Sequence, residues 1–412
     1  MNFKNNKYYF ECINCNIQYS ADEVQYLCPV CNAENITGLP PKGVLKTIYQ
    51  YNNIKIDLNF NSLKKTGFID LLPIKSNISL PFLKTGNTPL YSLTEFEGKK
   101  LPFRVYLKDD SHNPTFSFKD RASALVSAYA KEQGLDTIVA ASTGNAGSSL
   151  AGICASQGQK AIILVPEKAP KAKLTQIVMY GAKIIPVKGN YDDAFDLSVK
   201  ASEEFGWYNR NTAYNPFTIE GKKSVSFEIY EQMKFDIPDR IFVPVGDGVI
   251  LSGVYKGFED LLKLNIIDRI PCIVAIQAKN SDNLVRNIGR QPFEIRKSNT
   301  LADSISVDVP RNFYMAKDYL KRYNGETVTV EDDDIIKASL LLAKNAGLFV
   351  EPAAATAFAG FLSFYLSGKL LPDSKNTVLL TGSGLKDIDS VQNYIDIPKA
   401  ILPNISELKK LI

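Results

Sequence analysis

The chain is almost free of histidine. Its 412 residues contain a single one, His112. This scarcity argues against a Ser-His-Asp triad, a Cys-His protease and a histidine-rich metal centre, which all depend on imidazole groups. Proton transfers must then rely on other side chains. His112 directly precedes Asn113-Pro114, a turn signal, and we expect it to be a loop residue with no special duty.

The sequence also lacks a strong charge bias and a long apolar run. Lys and Arg number 48 against 44 Asp and Glu, a net charge of +4, with both signs mixed along the chain. This balance indicates neither a nucleic-acid nor a membrane partner. The most apolar stretch, 353–366, falls short of the roughly 20 residues that span a bilayer, so we predict a buried helix there. The first residues have no apolar signal core, and we expect a cytoplasmic protein.

Cysteine is scarce but patterned, because four of the six cysteines form two C-x-x-C pairs. Cys12 with Cys15, and Cys28 with Cys31, would each present two sulfurs to one ion. This spacing predicts a structural, tetrahedral zinc site in a small ribbon spanning residues 1–36. Two disulfides are an alternative that a reducing cytosol disfavours, and a ribbon that has lost its metal is another.

The remainder of the chain divides into an arm and a body. Residues 37–84 have no clean helical period, which predicts a linker and an irregular N-terminal arm, and residues 85–412 form the body. Six apolar runs in the body have the length and composition of buried strands: 137–141, 161–165, 183–187, 241–245, 273–276 and 377–380. Because the runs alternate with helical patterns, they predict an α/β fold with parallel sheets. Ligands are then expected beyond the carboxyl ends of the strands.

The segment 113–121, Asn-Pro-Thr-Phe-Ser-Phe-Lys-Asp-Arg, places one lysine at the start of a helix. Ser117 and Asp120 form an S-x-x-D capping pair behind the Asn-Pro turn, so the helix should begin near Phe118. Lys119 would lie in the first turn, where its charge works against the helix dipole. Such an environment favours the neutral amine that an imine-forming lysine needs. A lone lysine is more often a solvated surface residue.

Three further segments each follow a predicted strand. They are Ser142-Thr143-Gly144-Asn145, which leads into a helix at Ala146, then Gly246-Asp247-Gly248-Val249-Ile250, which opens another helix, and 381–387. Backbone N–H groups at helix starts bind anions, so the first suits a carboxylate and the second, with its glycines, suits a phosphate. Asp247 would have to point away from that phosphate. Each motif alone is weak, because capped helices and tight turns have the same pattern.

The four segments together, over roughly residues 85–390, resemble the signatures of threonine synthases, which are pyridoxal-phosphate (PLP) enzymes of the tryptophan-synthase β-chain superfamily. The resemblance implies the fold type II arrangement of two parallel-sheet subdomains with the cofactor between them, the smaller one built from about 125 to 215. A zinc ribbon precedes this body in several archaeal and bacterial threonine synthases. The resemblance also implies a homodimer and an amino-acid substrate, O-phosphohomoserine, which reacts with water to give threonine and phosphate.

The resemblance also implies a role for individual residues. Lys119 would be catalytic and would bind PLP as a Schiff base, and Thr381 would face the pyridine nitrogen. The other cofactor contacts would come from Asn145, Gly246, Asp247, Gly248, Val249 and Ile250. The substrate contacts would come from Ser142, Thr143, Asn145, Ala146, Asn215 and Thr218. Glu351, which precedes Pro352, is either a residue of the pocket or a structural cap.

The region expected to bind the substrate phosphate departs from the family pattern. Thr218 stands where threonine synthases usually have an arginine, and Ala213 where they usually have a serine. Loss of a guanidinium from a phosphate site costs roughly 1.5–3 kcal/mol. Lys222 and Lys223, one helical turn on, are the candidates to replace the charge. Phe116, at a position where the family has glycine, adds bulk beside the lysine.

This mismatch leaves other functions open. Within the same fold, one is cysteate synthase, which joins phosphoserine to sulfite, and another is a threonine or serine dehydratase. A function of a different class is a zinc-ribbon binding protein whose PLP-enzyme fold is catalytically silent.

Overall fold

Three sheets and their covering helices make up the part of the chain described by a computed structural model, residues 6–54 and 59–412. The strands are β1 Tyr8–Cys12, β2 Gln18–Tyr19, β3 Leu45–Tyr49, β4 Leu90–Phe96, β5 Lys99–Asp109, β6 Thr137–Ala141, β7 Lys160–Pro166, β8 Lys183–Val187, β9 Tyr208–Asn209, β10 Arg240–Pro244, β11 Cys272–Ala278, β12 Glu326–Val330 and β13 Lys375–Leu380. The helices are α1 Pro29–Asn32, α2 Phe60–Lys65, α3 Lys119–Glu132, α4 Asn145–Gln157, α5 Lys171–Met179, α6 Tyr191–Phe205, α7 Phe217–Lys222, α8 Ser224–Gln232, α9 Val249–Lys263, α10 Asn283–Asn287, α11 Phe313–Arg322, α12 Asp332–Ala346, α13 Pro352–Leu366, α14 Asp389–Gln392 and α15 Ile405–Lys409. Single 3-10 turns cover Tyr51–Asn53, Ile69–Leu71, Asn77–Ser79, Asp110–His112, Lys279–Ser281, Asp303–Ile305 and Gly384–Lys386.

The N-terminal ribbon is an antiparallel sheet of order β2-β1-β3. Its third strand lies beyond the boundary predicted at residue 36, because Leu45 is paired with Cys12. We did not predict this strand from the sequence, because it contains Lys46 and a lysine is unexpected in a buried strand. Its ammonium is satisfied by Glu259 of α9, 2.7 Å away. The predicted linker 37–84, apart from residues 55–58 outside the described part, therefore contains β3 and the helix α2.

The four-stranded sheet has the order β8-β7-β6-β9, with all its strands parallel. It spans residues 137–209, inside the region predicted as the smaller subdomain. The six-stranded sheet has the order β12-β11-β10-β13-β5-β4, and only β4 at its edge is antiparallel. All six apolar runs are strands of these two sheets, so the α/β prediction is confirmed.

Four strands of the two larger sheets were not predicted from the sequence, because their apolar content is low or their length is short. They are β4, β5, β9 and β12. Of these, β12 reads Glu-Thr-Val-Thr-Val, lies at a sheet edge and is mostly half-exposed, while β9 has only two residues. A strand at an edge buries less of its surface, so its hydrophobic pattern is weak.

The apolar stretch 353–366 is confirmed as a buried helix. It forms α13, which begins with Pro352 in the first turn, where a proline without an N–H group is tolerated. Its alanines and phenylalanines pack against the six-stranded sheet. Among the described residues, no helix is both long enough and apolar enough to cross a membrane.

The start of α3 differs from the predicted capping pair. The helix begins at Lys119, but the Ser117 hydroxyl caps nothing and has no hydrogen-bond partner among the described residues. Asp120 instead accepts hydrogen bonds from the backbone N–H and the hydroxyl of Thr115, which ties the helix back to the preceding turn. Phe116 within this turn has a φ of 69°, a left-handed conformation that glycine adopts more easily.

Arg121 of α3 fixes this segment against the body of the protein. Its guanidinium donates to both carboxylate oxygens of Asp110, at 2.6 and 2.9 Å, and to both of Glu228, at 2.6 and 2.8 Å. The Lys108 ammonium also contacts the Glu228 carboxylate, at 2.6 Å. Burial pushes the pKa of Glu228 up, but Arg121 and Lys108 outweigh it and hold that pKa at about 2. The first turn of α3, with Lys119, is thereby anchored.

We expect Arg121→Lys to lower the free energy of unfolding by about 3 kcal/mol, because an ammonium cannot satisfy two buried carboxylates bidentately. Urea unfolding monitored by circular dichroism measures this change. Arg240→Lys is the matched control, since Arg240 pairs with the partly exposed Glu326 at 3.1 Å and such a pair contributes at most about 1 kcal/mol. Equal losses in the two variants would contradict the anchoring role of Arg121.

Candidate active site

A cavity of about 590 Å³ opens where the loops after β6 and β10 face each other. These loops follow the carboxyl ends of strands in the two parallel sheets, the position at which such sheets bind ligands. Most of the predicted site residues line it: Lys119, Ser142, Thr143, Asn145, Ala146, Gly246, Asp247, Gly248, Val249 and Ile250. Three do not, namely Thr381, Asn215 and Thr218.

Lys119 lies at the start of α3 with its side chain in the cavity wall. Burial lowers the pKa of its amine, and Glu351 and Asp247 oppose this shift while Arg210 adds to it. The largest of these causes is the loss of water around the ammonium. A lysine in this environment is closer to the neutral form that acts as a nucleophile or base.

Asn145 and Glu351 form a polar group beside the lysine. The Asn145 amide lies 2.9 Å from each carboxylate oxygen of Glu351 and donates to the Ser304 hydroxyl at 3.1 Å. Burial raises the pKa of Glu351, although Asn145 and Lys119 oppose the shift. Glu351 precedes the first turn of α13, but its side chain caps no backbone group of that helix. Its side chain instead contacts Asn145 and Ser304, which line the cavity.

The loop 142–145 ends where the 13-residue helix α4 begins. The Ser142 hydroxyl accepts a hydrogen bond from the Gly144 N–H at 3.3 Å, which holds the turn. The helix start and the hydroxyls of Ser142 and Thr143 face the cavity. Together they form a concentration of donors that suits a carboxylate.

The loop 246–250 ends where the 15-residue helix α9 begins. Gly248, the residue before the helix, has a φ of 88°, which a residue with a side chain rarely adopts. Asp247 accepts a hydrogen bond from the Arg311 N–H at 3.2 Å, and burial raises its pKa. The Asp247 carboxylate is thus held by a neighbouring loop, as a phosphate at the start of the helix would require.

Thr381 is buried at the end of β13, just outside the lining of the cavity. Its carbonyl accepts a hydrogen bond from the Phe118 N–H at 2.8 Å, so the strand end is bonded to the residue before Lys119. Thr381, the predicted partner of the cofactor ring, is therefore held close to Lys119 by this backbone hydrogen bond.

The geometry does not favour the substrate contacts expected from Asn215 and Thr218. Both residues are fully buried away from the cavity. The Asn215 amide donates to the Asn209 carbonyl at 2.8 Å, and the Thr218 hydroxyl donates to the Asn215 carbonyl at 2.8 Å. These polar groups are used to build the turn before α7, which the sequence motif alone could not reveal.

Two cations that face the cavity were missed or left undecided by the sequence. Arg210 follows β9 and gave no motif signal. Lys222 and Lys223 were equal candidates to replace the missing arginine, but only Lys222 lines the cavity. The Lys223 ammonium lies 2.6 Å from both Glu220 and Asp260 and is buried in an ion-pair network. Burial lowers the pKa of Arg210 to about 10 and also lowers that of Lys222.

The four ribbon cysteines form a second candidate site. Their sulfur atoms all lie within 4.8 Å of one another, and the Cys12–Cys31 and Cys15–Cys28 sulfur pairs are each 3.7 Å apart. Four sulfurs at the usual Zn–S distance of about 2.3 Å from a central ion would be roughly 3.8 Å apart. The sulfur positions therefore fit one tetrahedral ion.

The ribbon contacts the loop that carries Arg210. Tyr26 of the ribbon accepts a hydrogen bond from the Asn209 N–H at 2.9 Å, and its ring stacks on Tyr214 with centroids 4.5 Å apart. Phe10 contacts Phe217 at 5.7 Å between centroids. The ribbon thus packs against the loop that carries Arg210 and helps to hold this loop in the cavity wall.

Comparison with known proteins agrees with this geometry. The family model described as "Pyridoxal-phosphate dependent enzyme" matches residues 82–382. The chain is 35% identical over 410 residues to threonine synthase of Methanocaldococcus jannaschii, covering 97% of this chain and 98% of the relative. It is 33% identical over 412 residues to threonine synthase of Methanosarcina acetivorans, covering 98% of each.

Solved structures agree on the fold. The processed form of threonine deaminase isoform 2 from Solanum lycopersicum superimposes with a TM-score of 0.66 at 21% identity, covering 82% of this chain and 94% of that one. Maize serine racemase has a TM-score of 0.64 at 25% identity, with coverage of 75% and 92%. The α/β body is thus of the fold type II class.

We expect Glu351→Gln to lower the pKa of Lys119, because the carboxylate opposes the shift that burial causes and the amide does not. The pH dependence of Lys119 labelling by a small amine-reactive reagent, followed by mass spectrometry of the cofactor-free protein, measures this shift. Its midpoint should move to lower pH. Glu326→Gln, far from the cavity, is the control that should leave it in place. A midpoint that stays or rises in Glu351→Gln would refute the electrostatic pairing.

Proposed function

The chain belongs to the pyridoxal-phosphate-dependent enzymes and, among them, to the threonine synthase family, and we propose that it converts O-phosphohomoserine and water to threonine and phosphate. The observation that carries this proposal is the position of Lys119. Its buried amine, with a lowered pKa, lies in a cavity between two helix starts that suit anions. We propose Lys119 as the catalytic residue of this lyase.

The residues present fit PLP. Gly248, with its positive φ, lets the backbone of the loop 246–250 turn into α9. We propose that the N–H groups of this loop hold the cofactor phosphate, and that Asn145 and Thr381 contact the ring. PLP, when bound, supplies an electron sink that stabilises negative charge on the substrate carbons. Thr381 offers a neutral hydroxyl rather than a carboxylate, which favours elimination and replacement over amino-group transfer.

The residues of the chain supply binding and proton transfer. We propose that the loop formed by Ser142, Thr143, Asn145 and Ala146 binds the substrate carboxylate at the start of α4. The neutral Lys119 amine then moves protons at the α and β carbons of the substrate. Glu351 remains close to that amine, where its charge tunes the proton affinity of Lys119.

We also propose that Cys12, Cys15, Cys28 and Cys31 bind one structural zinc ion. The support is the sulfur spacing of 3.7 Å within each close pair. All four positions of a tetrahedral ion would be filled by sulfur, so this ion would have no open site for catalysis.

We propose a homodimer and a cytoplasmic location as well. A reducing compartment suits the cysteines, which are all free thiols in the structure. A contact with a second copy would cover the apolar side chains exposed along the C-terminal segment, including Ile397, Leu402, Ile405 and Leu411.

Lys119→Ala should abolish phosphate release from O-phosphohomoserine and remove the near-visible absorbance of the bound cofactor, because the proposed attachment of the cofactor needs the Lys119 amine. A phosphate-release assay and an absorbance spectrum measure the two effects. Lys131→Ala is the control, since Lys131 lies on the same helix but is exposed at its other end. Turnover or an intact absorbance band in Lys119→Ala would exclude this lysine as the cofactor residue.

The substrate is tested with the unmodified enzyme. We expect phosphate release from O-phosphohomoserine with formation of threonine, and much slower reaction with phosphoserine plus sulfite or with threonine alone. Faster reaction with phosphoserine and sulfite would favour cysteate synthesis, and ammonia release from threonine would favour a dehydratase. No reaction with any of them, together with no cofactor absorbance, would favour a silent scaffold.

Cys28→Ser should abolish binding of one zinc ion per chain and lower the thermal stability of the ribbon, because a four-cysteine site needs every thiolate. Atomic absorption gives the metal content, and hydrogen exchange of residues 8–12 and 208–214 gives the extent of loosening. Cys272→Ser, outside the cluster, is the control. Loss of metal without faster exchange in 208–214 would disprove the coupling of ribbon and loop through Tyr26.

A further inference from the structure

Two buried cations in the cavity wall form no ion pair with any carboxylate in the described part of the chain. Lys222, the last residue of α7, is 1% exposed, and its ammonium has no hydrogen-bond partner among the described residues. Arg210 is also 1% exposed. Its Nε and Nη1 donate to the hydroxyls of Ser123 and Thr212, both at 3.2 Å, but its Nη2 has no partner in the described part of the chain.

The charged groups around Lys222 do not compensate its positive charge. Its electrostatic neighbours Arg210 and Lys119 are both cations, and Asp247 is the one carboxylate that attracts it. Asp247 accepts a hydrogen bond from the Arg311 backbone and carries a raised pKa, so it compensates poorly. Buried charges are costly unless they are paired. The part of the cavity around Lys222 therefore has an excess of positive charge that an anionic ligand would neutralise.

Among the described residues, the buried lysines outside the cavity are paired. Lys223, the next residue, contacts Glu220 and Asp260, while Lys46 contacts Glu259 and Lys108 contacts Glu228. Each of these cations has a carboxylate within 2.7 Å. The isolation of Lys222 is thus a property of the cavity, and it does not reflect a general tolerance of buried charge.

Close packing surrounds the backbone of Lys222. Gly221 lies so close to α3 that a Cβ atom there would be 2.2 Å from the Arg121 carbonyl oxygen. A Cβ atom on Gly253 of α9 would similarly be 2.7 Å from the Lys222 Cβ atom. The end of α7 is therefore wedged between α3 and α9. Such packing holds the backbone that carries the ammonium in place before a ligand arrives.

We propose that Arg210 and Lys222 bind the phosphate group of the amino-acid substrate, in place of the guanidinium missing at position 218. This inference rests on the proposed function. A cofactor phosphate has the same chemistry, but the loop 246–250 at the start of α9 already offers it backbone donors. The Arg210 guanidinium and the Lys222 ammonium together suit the substrate phosphate, which carries two negative charges.

The test uses Lys222→Gln in the enzyme with its cofactor bound. We expect kcat/KM for O-phosphohomoserine to fall roughly 10- to 100-fold, as for the loss of one charge-assisted hydrogen bond. Inorganic phosphate, used as a competitive inhibitor, should weaken by a similar factor, while the Kd for PLP changes less than about threefold. Lys222→Arg should recover part of the loss. Lys297→Gln is the control, because Lys297 is an exposed cation at the rim of the cavity.

A second variant separates binding from folding. Lys222→Met removes an unpaired buried charge, so the Tm without phosphate should rise, and the further rise that inorganic phosphate gives the unmodified enzyme should disappear. An unchanged phosphate effect in this variant would overturn the anion site.

A site for the substrate phosphate and a site for the cofactor phosphate predict different effects of Lys222→Gln. A loss of PLP affinity in Lys222→Gln, with unchanged inhibition by inorganic phosphate, would overturn the assignment to the substrate and give the pair to the cofactor. If the unmodified enzyme releases no phosphate from O-phosphohomoserine, but inorganic phosphate still binds through Lys222, the proposed function fails while the anion site stands.

Discussion

The double bidentate contact of Arg121 is the interaction on which the candidate active site depends. One guanidinium joins Asp110, which lies just after β5, to Glu228 on α8, and it projects from the first turn of the helix that begins with Lys119. The position of Lys119 therefore depends on Arg121, two residues further along the helix. A flexible side chain at the start of a helix would otherwise sample many conformations, whereas here the backbone beneath it is anchored from two sides.

Electrostatics and burial act together in the cavity. Desolvation lowers the pKa of Lys119 and of Lys222, and the charged groups around Lys222 are more positive than negative. The protein thus stores an unfavourable charge distribution that anionic ligands relieve when they bind. Binding and folding stability are linked through this excess charge, because a ligand that binds only the folded state stabilises it.

The sequence predicted what local chemistry determines, and it failed where tertiary contacts decide. The apolar runs of β6, β7, β8, β10, β11 and β13 were recognised because buried parallel strands need continuous hydrophobic residues. The strand Leu45–Tyr49 was missed, because its Lys46 finds a partner in Glu259, far along the chain. Ser117 was expected to cap α3, but Thr115 and Asp120 form the bond instead. The family pattern pointed to Thr218, whereas the helix turns this residue away from the cavity.

The contact of Tyr26 with Asn209 and Tyr214 limits how this protein can be rearranged. A ribbon joined by a free tether could be exchanged as a cassette between homologous proteins. Here the aromatic side chains of the ribbon pack against the segment that carries Arg210, and the two together form a hydrophobic seam. A chimaera would therefore need to exchange residues 208–217 together with the ribbon. Substitutions on the two sides of this seam should therefore be selected jointly.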